Sequence, residues 1–151
     1  YEALKNAFGH WICPSENLMK ITLVSGGSSF KIGPFNAQTI EVNHNPESLA
    51  IKLESKGKTL VYSGDTGFST SLIEFSKGVD LLILECANSE KITVPIHLGP
   101  REIAEIAGKA NPKTLLLTHF YPHSENPNLD VIRNKYKGEI ILAEDLLTLK
   151  L

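Results

Sequence analysis

The chain has 151 residues, 42% hydrophobic and 21% charged, a balance that fits one soluble globular unit with an adequate core and excludes a disordered tail. Fifteen Lys plus Arg against seventeen Asp plus Glu leave a net charge of -2, so no global field draws the chain to nucleic acid. No apolar run reaches bilayer-spanning length, and Tyr1-Glu2-Ala3-Leu4-Lys5 lacks the layout of a signal peptide, which makes the cytoplasm the expected compartment and a membrane partner unexpected.

The first elements read as short strands: Lys20-Ile21-Thr22-Leu23-Val24, then Ser29-Phe30-Lys31-Ile32 ending at Gly33-Pro34, then Ala37-Gln38-Thr39-Ile40-Glu41-Val42. After a break at Asn43-His44-Asn45-Pro46, Leu49, Ile51 and Leu53 alternate with Ala50, Lys52 and Glu54. Ser55-Lys56-Gly57-Lys58 then turns the chain into Thr59-Leu60-Val61-Tyr62 as a hairpin. Leu81-Leu82-Ile83-Leu84 and Leu115-Leu116-Leu117 are continuous apolar runs, as expected of strands buried on both faces. Between them Gly99-Pro100-Arg101-Glu102 opens a helix whose apolar face is Ile103, Ile106, Ala107 and Ala110, and Asn111-Pro112 stops it. A further helix is expected over residues 129–136, followed by final strands at Glu139-Ile140-Ile141-Leu142 and Leu146-Leu147-Thr148-Leu149. A β-rich opening followed by βαβ units predicts an α/β (α+β) fold in a single unit, since no linker, repeat or low-complexity run divides the chain.

Phosphate loops of the GxxxxGK[ST] type, GxSxG elbows, HExxH helices and GxGxxG turns are all missing from the sequence. The polar residues that stand out are at strand ends: His44 after residues 39–42, Asp65 after Leu60-Val61-Tyr62-Ser63-Gly64, and His119 after Leu115-Leu116-Leu117-Thr118. Each has an ordinary structural explanation when taken alone: a turn for His44, a helix cap near Ser69 for Asp65, packing against Phe120 and Tyr121 for His119. Together, two imidazoles and a carboxylate are ligand types that zinc, manganese or iron accept. Cys13 and Cys86 read as reduced thiols without a role, Asp80 as a turn or cap residue, and Gly26-Gly27-Ser28-Ser29 as a hairpin turn. His10 and His123 have no assigned part.

Five segments in chain order, Val42-Asn43-His44, Ser63-Gly64-Asp65-Thr66-Gly67, Asp80-Leu81-Leu82-Ile83-Leu84-Glu85, Ile96-His97-Leu98-Gly99-Pro100 and Leu117-Thr118-His119-Phe120-Tyr121-Pro122, resemble the later part of metallo-β-lactamase-fold hydrolases. The resemblance is nearest to the ribonuclease Z and related phosphodiesterase branch. It implies a metallo-β-lactamase-like αββα sandwich, incomplete here, with His44 and His119 as metal histidines and Asp65 as the carboxylate bridging two divalent metal ions, zinc with manganese or iron as substitutes. It further implies that His97 meets the scissile phosphate and that Glu85 orients it. The His-Ser-Thr segment of ribonuclease Z reads His-Leu-Gly here, a departure from that enzyme specifically.

The family's His-x-His-x-Asp-His motif does not occur in the sequence, and no two histidines have the His-x-His spacing. Residues 1–151 are therefore expected to be the C-terminal portion of a single hydrolase domain whose N-terminal portion completes the site, with a degenerate member as the alternative. The implied reaction is metal-dependent hydrolysis of a phosphodiester in RNA or a nucleotide, weak or silent in this portion alone. Lactone, thioester or β-lactam hydrolysis and a metal-free scaffold module are the competing expectations. An RNA-binding arm or a homodimer surface is left to the absent portion.

Overall fold

The computed structural model describes residues 21–151 and, before them, Ala3 and Asn6. His10, Cys13 and Lys20 lie outside the described residues. Among the described residues seven strands form one sheet in the order of the chain: β1 (Ser29–Ile32), β2 (Phe35–Glu41), β3 (Leu49–Ser55), β4 (Lys58–Tyr62), β5 (Leu81–Glu85), β6 (Thr114–Thr118) and β7 (Glu139–Leu142). Three helices join the later strands: α1 (Thr70–Phe75), α2 (Pro100–Ala110) and α3 (Leu129–Arg133).

The first half is a meander: two-residue turns join β1 to β2 and β3 to β4, and the loop over residues 42–48 joins β2 to β3. Lys56 and Gly57 both take positive φ, 51° and 72°, the backbone of the two-residue hairpin that leaves Ser55 opposite Lys58. From β4 onward all pairings are parallel, because helices rather than turns connect the strands. Since β2 and β3, and then β3 and β4, are antiparallel, β2 runs in the direction of β4, β5 and β6. All four strands therefore end on the same edge of the sheet.

Val61, Leu82, Leu115 and Ile140 are register partners across β4 to β7 and pack with Leu72 and Ile73 of α1, Ile103, Ile106 and Ala107 of α2 and Ile132 of α3. Helix α2 starts on Pro100 with Glu102 returning to the Gly99 N–H, and ends on Asn111 in the left-handed region. The next row on the sheet, Tyr62, Ile83, Leu116 and Ile141, points to the other face, and there Tyr62 is 41% exposed. The described residues thus supply one sheet and one helical layer of the expected sandwich.

Three expectations need correction. Residues 21–24 form no strand; Leu23 is 87% exposed, so the alternation there buries nothing. Residues 146–149 also form no strand, since Leu146 sits at φ 67° and is fully exposed, where a β-branched or leucine backbone cannot continue a ladder. The helix expected over 129–136 closes after Arg133, and Tyr136 is instead buried with its hydroxyl donating to the Pro112 carbonyl, 3.0 Å away. Among the described residues no helix is long and apolar enough to cross a membrane.

Candidate active site

The shared sheet edge collects the polar strand-end residues. His44 lies in the loop after β2, Asp65 in the loop after β4, Glu85 is the last residue of β5, and His119 directly follows β6. His97 comes from the loop between β5 and α2. Helix α1 is capped by Ser69, whose hydroxyl accepts from the Leu72 N–H, so Asp65 is free of the capping role open to it in the sequence.

These loops are braced against one another. The Asn43 N–H donates to the Thr66 hydroxyl oxygen at 3.2 Å and the Gly67 N–H to the Asn43 carbonyl at 2.8 Å, tying the His44 loop to the Asp65 loop. Gly67 lies so close under the Pro95 carbonyl that an added Cβ would sit 2.0 Å from its oxygen. Only glycine permits that approach, and it brings the His97 loop down onto the Asp65 loop. Asn45 Nδ2 stands 2.8 Å from Nδ1 of His44 and holds that ring.

Glu85 is 1% exposed and surrounded by donors. Its Oε1 accepts from the Thr66 N–H at 3.1 Å and lies 2.7 Å from His97 Nδ1, while Oε2 accepts from the Ala87 N–H at 2.9 Å. A carboxylate in that setting takes the Nδ1 proton of the imidazole as its third bond, which sets the ring's orientation and leaves Nε2 as its working nitrogen. The His97 ring meets His44 edge-on at 5.0 Å between centroids and stands 5.8 Å from His119.

His119 takes φ 59°, a left-handed backbone that turns the chain sharply at the end of β6. Among the described residues its Nε2 is buried without a hydrogen-bond partner, and it lies 3.6 Å from Asp65 Oδ2. A buried imidazole nitrogen left open beside a carboxylate oxygen is the donor chemistry a borderline divalent ion takes up, so Asp65 and His119 fit as ligands. Among the described residues no group of three or more His, Cys, Asp or Glu side chains could hold a metal ion, so His44 does not close a cage with that pair. That is a partial ligand set.

Three residues without an assigned role in the sequence take part. Thr66, fully buried, links the loops; Asn88, 4% exposed, ties down the His97 loop; and the exposed Tyr121 ring stands 5.3 Å from His119 and stacks on His123 at 5.7 Å. Tyr121 lies inside the segment that carried the family resemblance, but an aromatic after a histidine reads equally as core. Cys86 is buried next to Glu85, and burial, with the charges of Glu85 and Glu102 adding to it, pushes its thiol up to about 12. It stays a packing residue.

Residues 3–120 match the family described as the beta-lactamase superfamily domain. The chain belongs to the metallo-β-lactamase superfamily. It is 36% identical over 96 residues to the ribonuclease Z of Haloarcula marismortui, a match that covers 59% of this chain and 31% of that protein. It is 31% identical over 115 residues to YhfI of Bacillus subtilis, covering 74% and 47% respectively. The crystal structure of YhfI, a metallo-β-lactamase fold protein, superimposes with a TM-score of 0.75 at 25% identity over 88% of this chain and 57% of that one. Zinc-bound PqqB of Methylobacterium extorquens shares the fold, with a TM-score of 0.69 at 14% identity over 99% of this chain and 59% of its own. The chain thus spans about a third of the ribonuclease Z and under half of YhfI as curated sequences. Relatives of this chain include hydrolases, and its mixed α/β architecture, with a seven-stranded sheet among the described residues, matches the fold of the metallo-β-lactamase-fold protein YhfI.

Proposed function

We propose that this chain is the C-terminal portion of a metal-dependent phosphodiesterase acting on RNA or a nucleotide. The observation that carries the reading is the open Nε2 of His119 facing Asp65, beside an imidazole, His97, held by a buried carboxylate. Asp65 and His119, with His44 from the adjoining loop, would hold two divalent ions together with ligands from an N-terminal portion. When bound, such ions supply Lewis acidity and a water activated by a lowered pKa.

The chain's own residues do the rest. Glu85 keeps Nδ1–H of His97 engaged, so Nε2 can carry a proton toward the leaving oxygen of a phosphodiester or stabilise charge on its non-bridging oxygens. Thr66 and Gly67 hold the Asp65 loop in register with that imidazole. Tyr121 offers an exposed aromatic face at the rim, suited to a nucleobase.

The test is hydrolysis of bis(p-nitrophenyl) phosphate by the full-length protein with added zinc or manganese. Turnover is expected to fall by about two orders of magnitude or more in His119→Ala, and residues 1–151 alone are expected to show little. Turnover unaffected by His119→Ala, or seen only with a lactone, thioester or β-lactam, would overturn the reading.

A further inference from the structure

The loop that carries His97 is anchored in the core at its end, where Leu98 is fully buried, but the stretch before it has little hydrophobic hold. Ile92, Val94 and Ile96 are 50%, 42% and 37% exposed. A stretch that buries so little is placed largely by polar contacts. Those contacts converge on one side chain.

Asn88 is 4% exposed, and its amide is engaged on both sides. Nδ2 donates to the Val94 carbonyl at 2.9 Å and to the His97 carbonyl at 2.8 Å, and Oδ1 accepts from the Val94 N–H at 2.8 Å. Its own backbone N–H donates to the carbonyl of Leu98, which is fully buried. Both N–H donors of the amide and one lone pair of its oxygen are thus spent on the segment around His97. Three residues earlier, Glu85 holds the Nδ1 of the same histidine.

We infer that Asn88 is a positioning residue of the reaction: it fixes the main chain of His97 while Glu85 fixes its ring, so that one short stretch after β5 sets both ends of the imidazole. Asn88 has no contact with the reacting atoms and acts through His97 alone. The inference rests on the reading of His97 as the proton-carrying group. It adds that the placement of that group depends on an amide side chain as well as on the burial of Leu98 beside it. Aspartate has the same size and keeps the acceptor for Val94 N–H, but it lacks both donors. Serine or alanine loses the whole clasp.

The experiment compares full-length, zinc-loaded wild type with Asn88→Ala and Asn88→Asp, and with Lys91→Ala on the exposed part of the same loop as control. With a chromogenic phosphodiester, kcat is expected to fall about 10- to 100-fold in both Asn88 variants while KM changes little, the range seen when the partner of a working side chain is lost. The downfield proton resonance of His97 Nδ1–H, assigned by its loss in His97→Ala, is expected to shift or broaden in the Asn88 variants and to stay in Lys91→Ala. Variants that lose only thermal stability, with kcat and resonance intact, overturn the inference. If Asn88→Ala does not fold, the isosteric Asn88→Asp decides by the same two readouts. If His97→Ala leaves kcat unchanged, the role of His97 fails, but the resonance still reports whether Asn88 places the ring.

Discussion

Strand β5 has a buried carboxylate at each end, and the two ends are built to opposite rules. Before its first residue, Asp80 is closed on every side: Lys113 Nζ donates at 2.7 Å, the Thr59 N–H at 2.9 Å, and Lys58 stands 3.7 Å away. The bond from Lys113, then that from Thr59, holds the Asp80 carboxyl well below the ordinary carboxylate range against the opposing effect of burial. At its last residue, Glu85 is also satisfied, but the groups around it are not, since among the described residues His119 Nε2 has no hydrogen-bond partner and Asp65 stops at 3.6 Å. A closed cluster stabilises the fold, whereas an edge with spare donor and acceptor capacity has groups left to meet a ligand. The strained backbone of His119 is on the second edge as well.

The contrast is broken most directly at Asp65. In the full-length protein Asp65→Asn should lower kcat for a phosphodiester by about 10²- to 10³-fold. Its metal-free melting temperature should hold, because among the described residues this carboxylate has no short hydrogen bond to lose; a fall in metal-free stability with unchanged kcat would place Asp65 with Asp80 as a structural group. Glu85→Gln follows, with a loss of about 10- to 100-fold in kcat, since an amide can meet His97 Nδ1 with its oxygen but gives a weaker acceptor than the carboxylate. Steady-state kinetics at fixed pH measure it, and undiminished turnover would remove Glu85 from the site.

Leu117→Ala should cost about 2–5 kcal/mol in chemical denaturation, because this fully buried side chain on β6 belongs to the core under both edges. Asp80→Asn should lower stability at pH 7 and leave kcat unchanged. The folded carboxyl titrates below its ordinary value of 3.8, so its contribution is complete above that value and is lost as the pH falls through the folded value. The stability gap between wild type and Asp80→Asn should therefore close as the pH drops below about 4, and a gap that widens there would refute the ion-pair account. The smallest effect is at Cys86, which should resist iodoacetamide in the native protein at pH 8, as read by peptide mapping, because burial keeps the thiol protonated.

The strands that matter were legible because their signals are local. Alternation with a Lys-Gly turn marks β3 and β4, and unbroken leucine runs mark β5 and β6, which bury both faces. The strand expected at residues 20–24, described from residue 21 on, and the one at 146–149 failed for a common reason: alternation predicts a strand only where a neighbour is there to pair with it, and Leu23 and Leu146 face solvent. Within the site, His44, Asp65 and His119 stood out as strand-end polar residues, and the resemblance paired His97 with Glu85. Asn88 and Thr66 could not be found that way. Their work consists of hydrogen bonds to backbone groups many residues distant, and backbone partners leave no mark on composition or spacing.

By itself the amino-acid order determined the superfamily, the run of parallel strands and the identity of the strand-end donors, because each depends on short segments whose side chains carry the message. Tertiary structure decided which of those donors meet. Two antiparallel steps from β2 to β4 and parallel pairing beyond them brought the ends of β2, β4, β5 and β6 to one edge, the left-handed turn at His119 aimed its Nε2 toward Asp65, and the amide of Asn88 holds the His97 loop in place over Glu85. Those are angles and distances between segments remote in the chain, and only a closed backbone hydrogen-bond network and a packed core define them.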